Sequence, residues 1–360
     1  MSEENINIAT KEYADAHFGN TSETNDNLVI ATKEYVDSIP TGMVMDGTAL
    51  KGQLCNHYLA TTVGEGADGS TLTDGSYMFY KCKDLTSWTA GLPNLENGLY
   101  MFSECVSLTS WTVDLPKLTN SSYMFSICNK LPSWTVDLPN LADGNNMFYQ
   151  CSGLTSFSAD LSNLTNGDHM FYYCSKLTSF SADLSNLTNG SYMFYQCSGL
   201  TSFSSELPNL TSGIYMFYKC TGLTSFSADL SNLTNGAQMF NGCSVLTSFS
   251  GDLSKLKGTS SSDGGYRMFY NCSKLTSFNS TLPALAYGQD MFYGCILDEA
   301  SVLRILNSIP TYTSGTPKLH LGKRTNYLNS TDIAALLGTT TPIAASTSYS
   351  YKGWIITITT

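Results

Sequence analysis

Eleven cysteines and a file of carboxylates are the residues of this 360-residue chain whose type and spacing could do chemistry. Ten of the cysteines keep time. Cys82, Cys105, Cys128, Cys151, Cys174, Cys197, Cys220 and Cys243 stand 23 residues apart, and Cys272 and Cys295 follow after steps of 29 and 23. A catalytic thiol needs a base beside it, and a zinc site needs converging ligands. Ten equivalent thiols supply no unique nucleophile. Cys55 and His57 lie two apart, but the four histidines (His17, His57, His169, His320) are scattered, so neither a zinc site nor a nucleophile with its base is expected. Gly64-Glu-Gly-Ala-Asp-Gly69 matches a nucleotide-binding glycine pattern, yet no amphipathic helix follows it and no strand–helix–strand unit surrounds it. Glycan hydrolysis needs two carboxylates flanking a cleft, and this chain offers a row. No enzyme is expected.

That row is Asp114, Asp137, Asp160, Asp183, Glu206, Asp229 and Asp252, each just before a Leu. Carboxylates stacked about 5 Å apart repel by roughly 0.8 kcal/mol per pair even in water. Such a ladder is either a solvated edge that discourages sideways pairing or a stripe for divalent cations or a basic partner, with calcium the fitting ion. A second ladder is aromatic. Tyr80, Tyr149, Tyr172, Tyr195, Tyr218, Tyr270 and Tyr293 follow a Met-Phe pair, while Tyr77, Tyr100, Tyr123, Tyr192 and Tyr215 precede one. These tyrosines either close the core with their hydroxyls in water or present rigid amphipathic area for stacking on sugars or packing on another protein. The candidate ligand-binding set is Tyr149, Tyr172, Tyr195 and Tyr218 with Asp160, Asp183, Glu206 and Asp229.

The elements that position these ladders follow from the repeat. Met-Phe-x-x-Cys recurs ten times, nine times followed by x-x-Leu, and eight of its nine intervals are 23 residues. A short fixed period means a stacked solenoid. In the copy from Met193 to Tyr215, Met193, Phe194 and Cys197 fall on one face of a helical turn. Leu200-Thr-Ser-Phe203-Ser reads as a short strand. Leu207 and Leu210 return the chain inward, and Gly213 is expected to make a tight turn. One repeat cannot bury enough to offset its ordering entropy, so stability must come from stacked neighbours. The expected architecture is an α+β solenoid of ten repeats, each a short strand plus a helical turn, roughly 50 Å long at about 4.8 Å per turn. The longer step falls in Lys257-Gly-Thr-Ser-Ser-Ser-Asp-Gly-Gly265, which should bulge outward as a loop. Stacked cysteine side chains point in parallel, which is poor disulfide geometry. The sequence therefore predicts buried free thiols and a reducing, cytoplasmic origin.

Composition narrows the partners. Only 13% of residues are charged and the net charge is −11, against duplex nucleic acid or an anionic membrane as partner. No apolar run reaches the roughly 18 residues of a membrane span. The acidic, polar N-terminus does not read as a secretory signal. Asn163-Leu-Thr165 and Asn186-Leu-Thr188 therefore read as by-products of the repeat, not as glycan acceptors.

The repeat resembles the BspA-like, treponemal-type leucine-rich repeat, with Met in place of Ala (Met170, Met193) and Trp or Phe in place of Ile (Trp88, Phe180). It is also similar to Met-Phe-x-x-Cys surface-protein repeats of mycoplasmas and gut bacteria. That resemblance implies a non-enzymatic adhesion or binding module. At the N-terminus, Ile8-Ala-Thr-Lys-Glu-Tyr13-Ala-Asp is repeated 22 residues later as Ile30-Ala-Thr-Lys-Glu-Tyr35-Val-Asp. This segment resembles short motifs near the N-termini of bacteriophage tail-fibre and other virion-appendage proteins. The resemblance implies attachment and homotrimer assembly, with Ile8, Tyr13, Ile30 and Tyr35 as the contact residues. The expected organisation is an attachment segment at 1–41, a linker and cap at 42–76, the solenoid at 77–297, and an α/β cap at 298–360 with helices near Asp298–Asn307 and Ser330–Leu337. The function expected is that of a virion-surface appendage, assembled in the bacterial cytoplasm, that touches a host surface glycan or protein. A bacterial cell-surface adhesin is the alternative. Apart from calcium on the acidic ladder, no cofactor is expected.

Overall fold

In a computed structural model, residues 72–258, 260, 263–315, 317–323, 326–344 and 347–359 are described, together with the backbone of 62–63. The duplicated N-terminal motif, with Ile8, Tyr13, Ile30 and Tyr35, lies outside these residues, as do Cys55, His57 and the glycine pattern at 64–69. The chain divides into two compact units, Met1–Leu161 and Ser162–Thr360.

The first unit holds β1 (Thr62–Val63), β2 (Ser87–Trp88), β3 (Ser110–Trp111), β4 (Ser133–Trp134) and β5 (Ser156–Phe157). Pairing is parallel and puts like on like: Ser87 faces Ser110 and Trp88 faces Trp111 in β2–β3, and Trp134 faces Phe157 in β4–β5. β3 and β4 fall in separate sheets, for a reason visible in the sequence. Where Thr109 donates its N–H to the Thr86 carbonyl (2.9 Å), the next repeat has Pro132, which has no N–H to give. The ladder resumes when Thr155 donates to the Pro132 carbonyl at 2.8 Å.

The second unit continues the pattern in β6 (Ser179–Phe180), β7 (Ser202–Phe203), β8 (Ser225–Phe226), β9 (Ser248–Phe249) and β10 (Ser277–Phe278). β6 pairs with β7, and β8, β9 and β10 form a three-stranded parallel sheet. Each strand has only two residues, the rest of each repeat being turns. All seven side chains expected to point inward in the Met193 repeat are buried.

The expected helical turn takes the form of overlapping hydrogen-bonded turns. Met193, Tyr195 and Cys197 donate their N–H groups locally to the carbonyls of Gly190, Tyr192 and Phe194. The residues between them, Tyr192, Phe194 and Gln196, donate instead to Ile214, Met216 and Tyr218 of the next repeat at 2.7–2.9 Å. This alternation needs two left-handed residues per turn, here Tyr192 and Gln196, both at φ 56°. A non-glycine residue there costs roughly 1–2 kcal/mol, offset by cross-repeat bonds that a regular helix could not make.

Gly213 is not in the left-handed region. It acts as a notch: a Cβ built there would come within 2.9 Å of the Met239 sulfur from the next repeat. At the longer step, residues 259, 261 and 262 of the loop expected to bulge outward lie outside the described residues, but its two ends are placed. Gly236 donates across it to Gly264 (3.0 Å), so the stack register resumes. Gly258 and Gly264 pinch its neck, since a Cβ on Gly258 would lie 2.5 Å from the Gly264 Cα.

A cap follows: α1 (Glu299–Ser308), β11 (Lys318–Lys323), α2 (Thr331–Leu336), β12 (Ser348–Tyr351) and β13 (Trp354–Thr359), with β13 between β11 and β12. Asp298 caps α1 by accepting from Ser301 N–H, and Ser330 caps α2 by accepting from Ile333 N–H. The last solenoid strand would be an open edge. α1 closes it with side chains: Ser301 Oγ accepts from Phe278 N–H (2.8 Å), Ser308 Oγ accepts from Leu282 N–H (3.1 Å), and Arg304 donates to the Phe278 carbonyl (2.9 Å). Nearby, β11 covers the turn segment, with Phe292 donating to His320 and Lys323 to Cys295.

Candidate functional site: files of stacked tyrosines

The tyrosines form two neighbouring files in the second unit. Tyr172, Tyr195 and Tyr218 stack at 4.6 Å between ring centroids, within 12° of parallel. His169, Tyr192 and Tyr215 stack beside them at 4.4 and 4.9 Å. Cross-contacts knit the files, with Tyr215 meeting Tyr218 at 5.4 Å and Tyr192 meeting Tyr195 at 5.9 Å. The repeat accounts for the spacing, and the left-handed backbone at His169, Tyr192 and Tyr215 aims the second file. In the first unit Tyr77, Tyr100 and Tyr123 stack in the same way, and Tyr149 lies tilted against Tyr123 at 6.3 Å.

This geometry corrects one expectation. A sugar ring cannot slip between the tyrosines of a file, because neighbouring rings already stack face to face at 4.4–4.9 Å. What the half-buried rings offer outward is edges and hydroxyls. Burial pushes the phenols of Tyr192, Tyr195 and Tyr215 above their usual range, so they remain neutral donors. Polar groups border the files. Asp168 bonds the His169 ring at 2.9 Å, Lys219 sits 5.3 Å over Tyr218, and Gln238 donates to the Tyr215 hydroxyl. Sequence reasoning missed Asp168, His169, Lys219 and Gln238 because they are the positions where the repeat varies.

The acidic ladder serves the backbone. Asp183, Asp229 and Asp252 each accept from the N–H two residues on, at 2.8 Å, and Glu206 accepts from Asp229 N–H at 2.6 Å. In the first unit Asp137 accepts from Asp160 N–H at 2.8 Å. The first three are side-chain turns that hold a corner, and the Glu206 and Asp137 bonds tie one repeat to the next. The charged groups acting on Tyr192 and Tyr195 are Asp168 and Lys219. Among the described residues no group of three or more His, Cys, Asp or Glu is placed to hold a metal ion, and no helix is long and apolar enough to cross a membrane.

The cysteine file is buried, and nine of its members are free thiols. Each thiol for which a bond is seen donates to a Phe carbonyl of the preceding repeat, as Cys197 does to Phe171 at 3.1 Å. Burial pushes Cys105 and Cys151 up to about 12 and raises Cys128, Cys197, Cys220, Cys243 and Cys272 as well. Cys82 departs from the expectation of reduced cysteines throughout: it is disulfide-bonded. As the first of the file it has no preceding Met-Phe-x-x-Cys copy to receive its thiol. Native protein should therefore react negligibly at Cys105 and Cys151 with a disulfide reagent at pH 8, where about one of these thiols in 10,000 is ionised. Unfolding in urea should release them. Rapid labelling of folded protein would show that the thiol file is open to solvent.

Stacked two-residue strands, a buried Leu-rich seam and varied outward positions define a leucine-rich repeat solenoid. The model of the BspA type leucine-rich repeat region matches residues 70–177, 142–260 and 190–314, and the chain belongs to that family. It is also similar to the crystal structure of a leucine-rich repeat protein from Bacteroides ovatus, at 21% identity, covering 76% of each chain with a TM-score of 0.41. No curated protein matches it.

Proposed function

We propose that this protein is a non-enzymatic recognition protein whose tyrosine files dock onto a cell-surface protein or glycan. The observation that carries this reading is the pair of stacked files from His169 to Tyr218. Covering each ring with its neighbour fixes its rotamer in advance, so little side-chain entropy is lost on binding. Tyrosines are prominent among interface residues that dominate affinity. The setting we favour is a bacteriophage appendage, on the strength of the duplicated Ala-Thr-Lys-Glu-Tyr motif at Thr10 and Thr32. There a homotrimer rooted through its N-terminal segment in other virion proteins would multiply weak contacts by copy number. A cell-surface adhesin of the same repeat family is the second reading, supported by the family itself.

Joint replacement of Tyr172, Tyr195 and Tyr218 by Ala should lower binding to target cells about tenfold or more while the circular dichroism spectrum is kept. Unchanged binding by the folded variant would remove this face from the reading. Light scattering should give a trimer for the full chain and a monomer for a chain lacking residues 1–41. A full-length monomer would remove the trimer.

A further inference from the structure

We infer that a groove on the second unit binds a neutral, linear polysaccharide laid along the stack, at a site separate from the tyrosine files. The groove has a volume of ≈ 550 Å³ and is lined by Asn163, Thr165, Asn186, Thr188, Asn209, Thr211 and Asn232. These come from four consecutive Asn-Leu-Thr tripeptides whose central leucines, Leu164, Leu187, Leu210 and Leu233, are buried. The alternation thus turns every apolar residue inward and every amide and hydroxyl out.

The lining is held in place by the neighbouring turns. Asn186, Asn209 and Asn232 each donate one amide N–H to a carbonyl of the preceding repeat, at Ser162 (2.8 Å), Ser185 (2.8 Å) and Pro208 (2.6 Å). Thr188 and Thr211 donate their hydroxyls to the carbonyls of Thr165 and Thr188, both at 3.0 Å. These bonds use one donor per side chain and leave the rest facing the groove. Thr188 and Thr211 keep hydroxyl lone pairs, and Asn186 and Asn209 keep an amide oxygen and a second N–H. The result is a row of mixed donors and acceptors repeating at about 4.8 Å, already locked in rotamer. Lys255 closes one end by donating to Asn232 Oδ1 at 2.6 Å.

The chemistry selects the ligand class. The lining residues are all uncharged and the one ammonium, Lys255, stands at one end on Asn232, which leaves a nucleic acid or polyphosphate without counter-charges along the groove. It holds no aromatic or large apolar anchor of the kind protein interfaces need. A glycan chain instead offers hydroxyls that both donate and accept, in a regular row. The volume lies within the range of ligand clefts, about 300–1,000 Å³. Asp183, Glu206 and Asp229, each three residues before a lining Asn, disfavour a polyanionic chain.

Native gel electrophoresis of the full chain, in gels containing hydroxyethylcellulose, pullulan or alginate, tests this site. At least one of the two neutral polymers should slow the wild type twofold or more relative to a polymer-free gel, and alginate should not. Thr188→Lys, which fills the groove from an exposed position, should abolish that retardation. Tyr195→Ala should retain it, so loss of the groove and loss of the tyrosine face give different results. Should Thr188→Lys melt early, the wild type decides: a short oligomer of the retarding polymer must shift its Asn side-chain amide signals in ¹H–¹⁵N spectra. The site is overturned if neither neutral polymer retards the wild type, if folded Thr188→Lys is still retarded, or if those signals stay put.

Discussion

Replacing Phe194 by Ala will destabilise the second unit by about 3–5 kcal/mol. Phe194 is fully buried and lies against four rings: Phe171 and Phe217 stacked at 5.5 and 5.4 Å, and Phe180 and Phe203 edge-on at 4.8 and 5.7 Å. Its neighbours are anchored in their own repeats and cannot close the cavity. In a quasi-one-dimensional stack the loss falls on both interfaces of one repeat. Urea unfolding followed by circular dichroism should show the lower midpoint and a broadened or split transition. Phe203, which is 8% exposed at the outer edge of the core, should cost less when truncated. A loss below about 1 kcal/mol at Phe194 would contradict the packing described.

Removing the cap from Asp298 onward will make the remaining chain self-associate. Without α1, the N–H groups of Phe278 and Leu282 lose the hydroxyls of Ser301 and Ser308. Without α1 and β11, the last repeat uncovers the apolar end formed by residues such as Phe278, Leu282, Leu285 and Phe292, all buried in the full chain. An open strand edge beside an apolar face is a template for further chains. Light scattering should record concentration-dependent growth of the truncated protein, and a stable monodisperse truncation would show that the cap is dispensable. Ser301→Ala is the gentler version. It leaves the buried Phe278 N–H unpaired, at a cost of about 1–3 kcal/mol.

Much of the fold was legible before any coordinates. The seven buried positions of a repeat and the helices near Asp298–Asn307 and Ser330–Leu337 follow from spacing and residue type. Gly213 was misread for an instructive reason. Glycine in a repeat signals either a turn or a close approach, and only the position of Met239 distinguishes them. The disulfide at Cys82 was misread because the argument from equivalent positions fails at the end of an array, where a residue has only one neighbour of its kind. The site was less legible. The tyrosine ladders were visible as such, whereas the Asn and Thr groove hid inside tripeptides that looked like by-products of the repeat.

The chain alone determined which residues lie over which, because in a solenoid a shift of 23 along the sequence becomes one step in space. Core, ladders and the position of the loop follow from that single translation. The tertiary structure decided how each side chain meets its counterpart one step away. Tyr192 and Tyr215 sit in a left-handed conformation that their own type disfavours, held there by bonds to carbonyls of the next turn. That backbone direction sets whether a ring shows its face or its edge, and whether an amide points into a groove. No residue type carries that information, since it belongs to the pair of turns and not to either one.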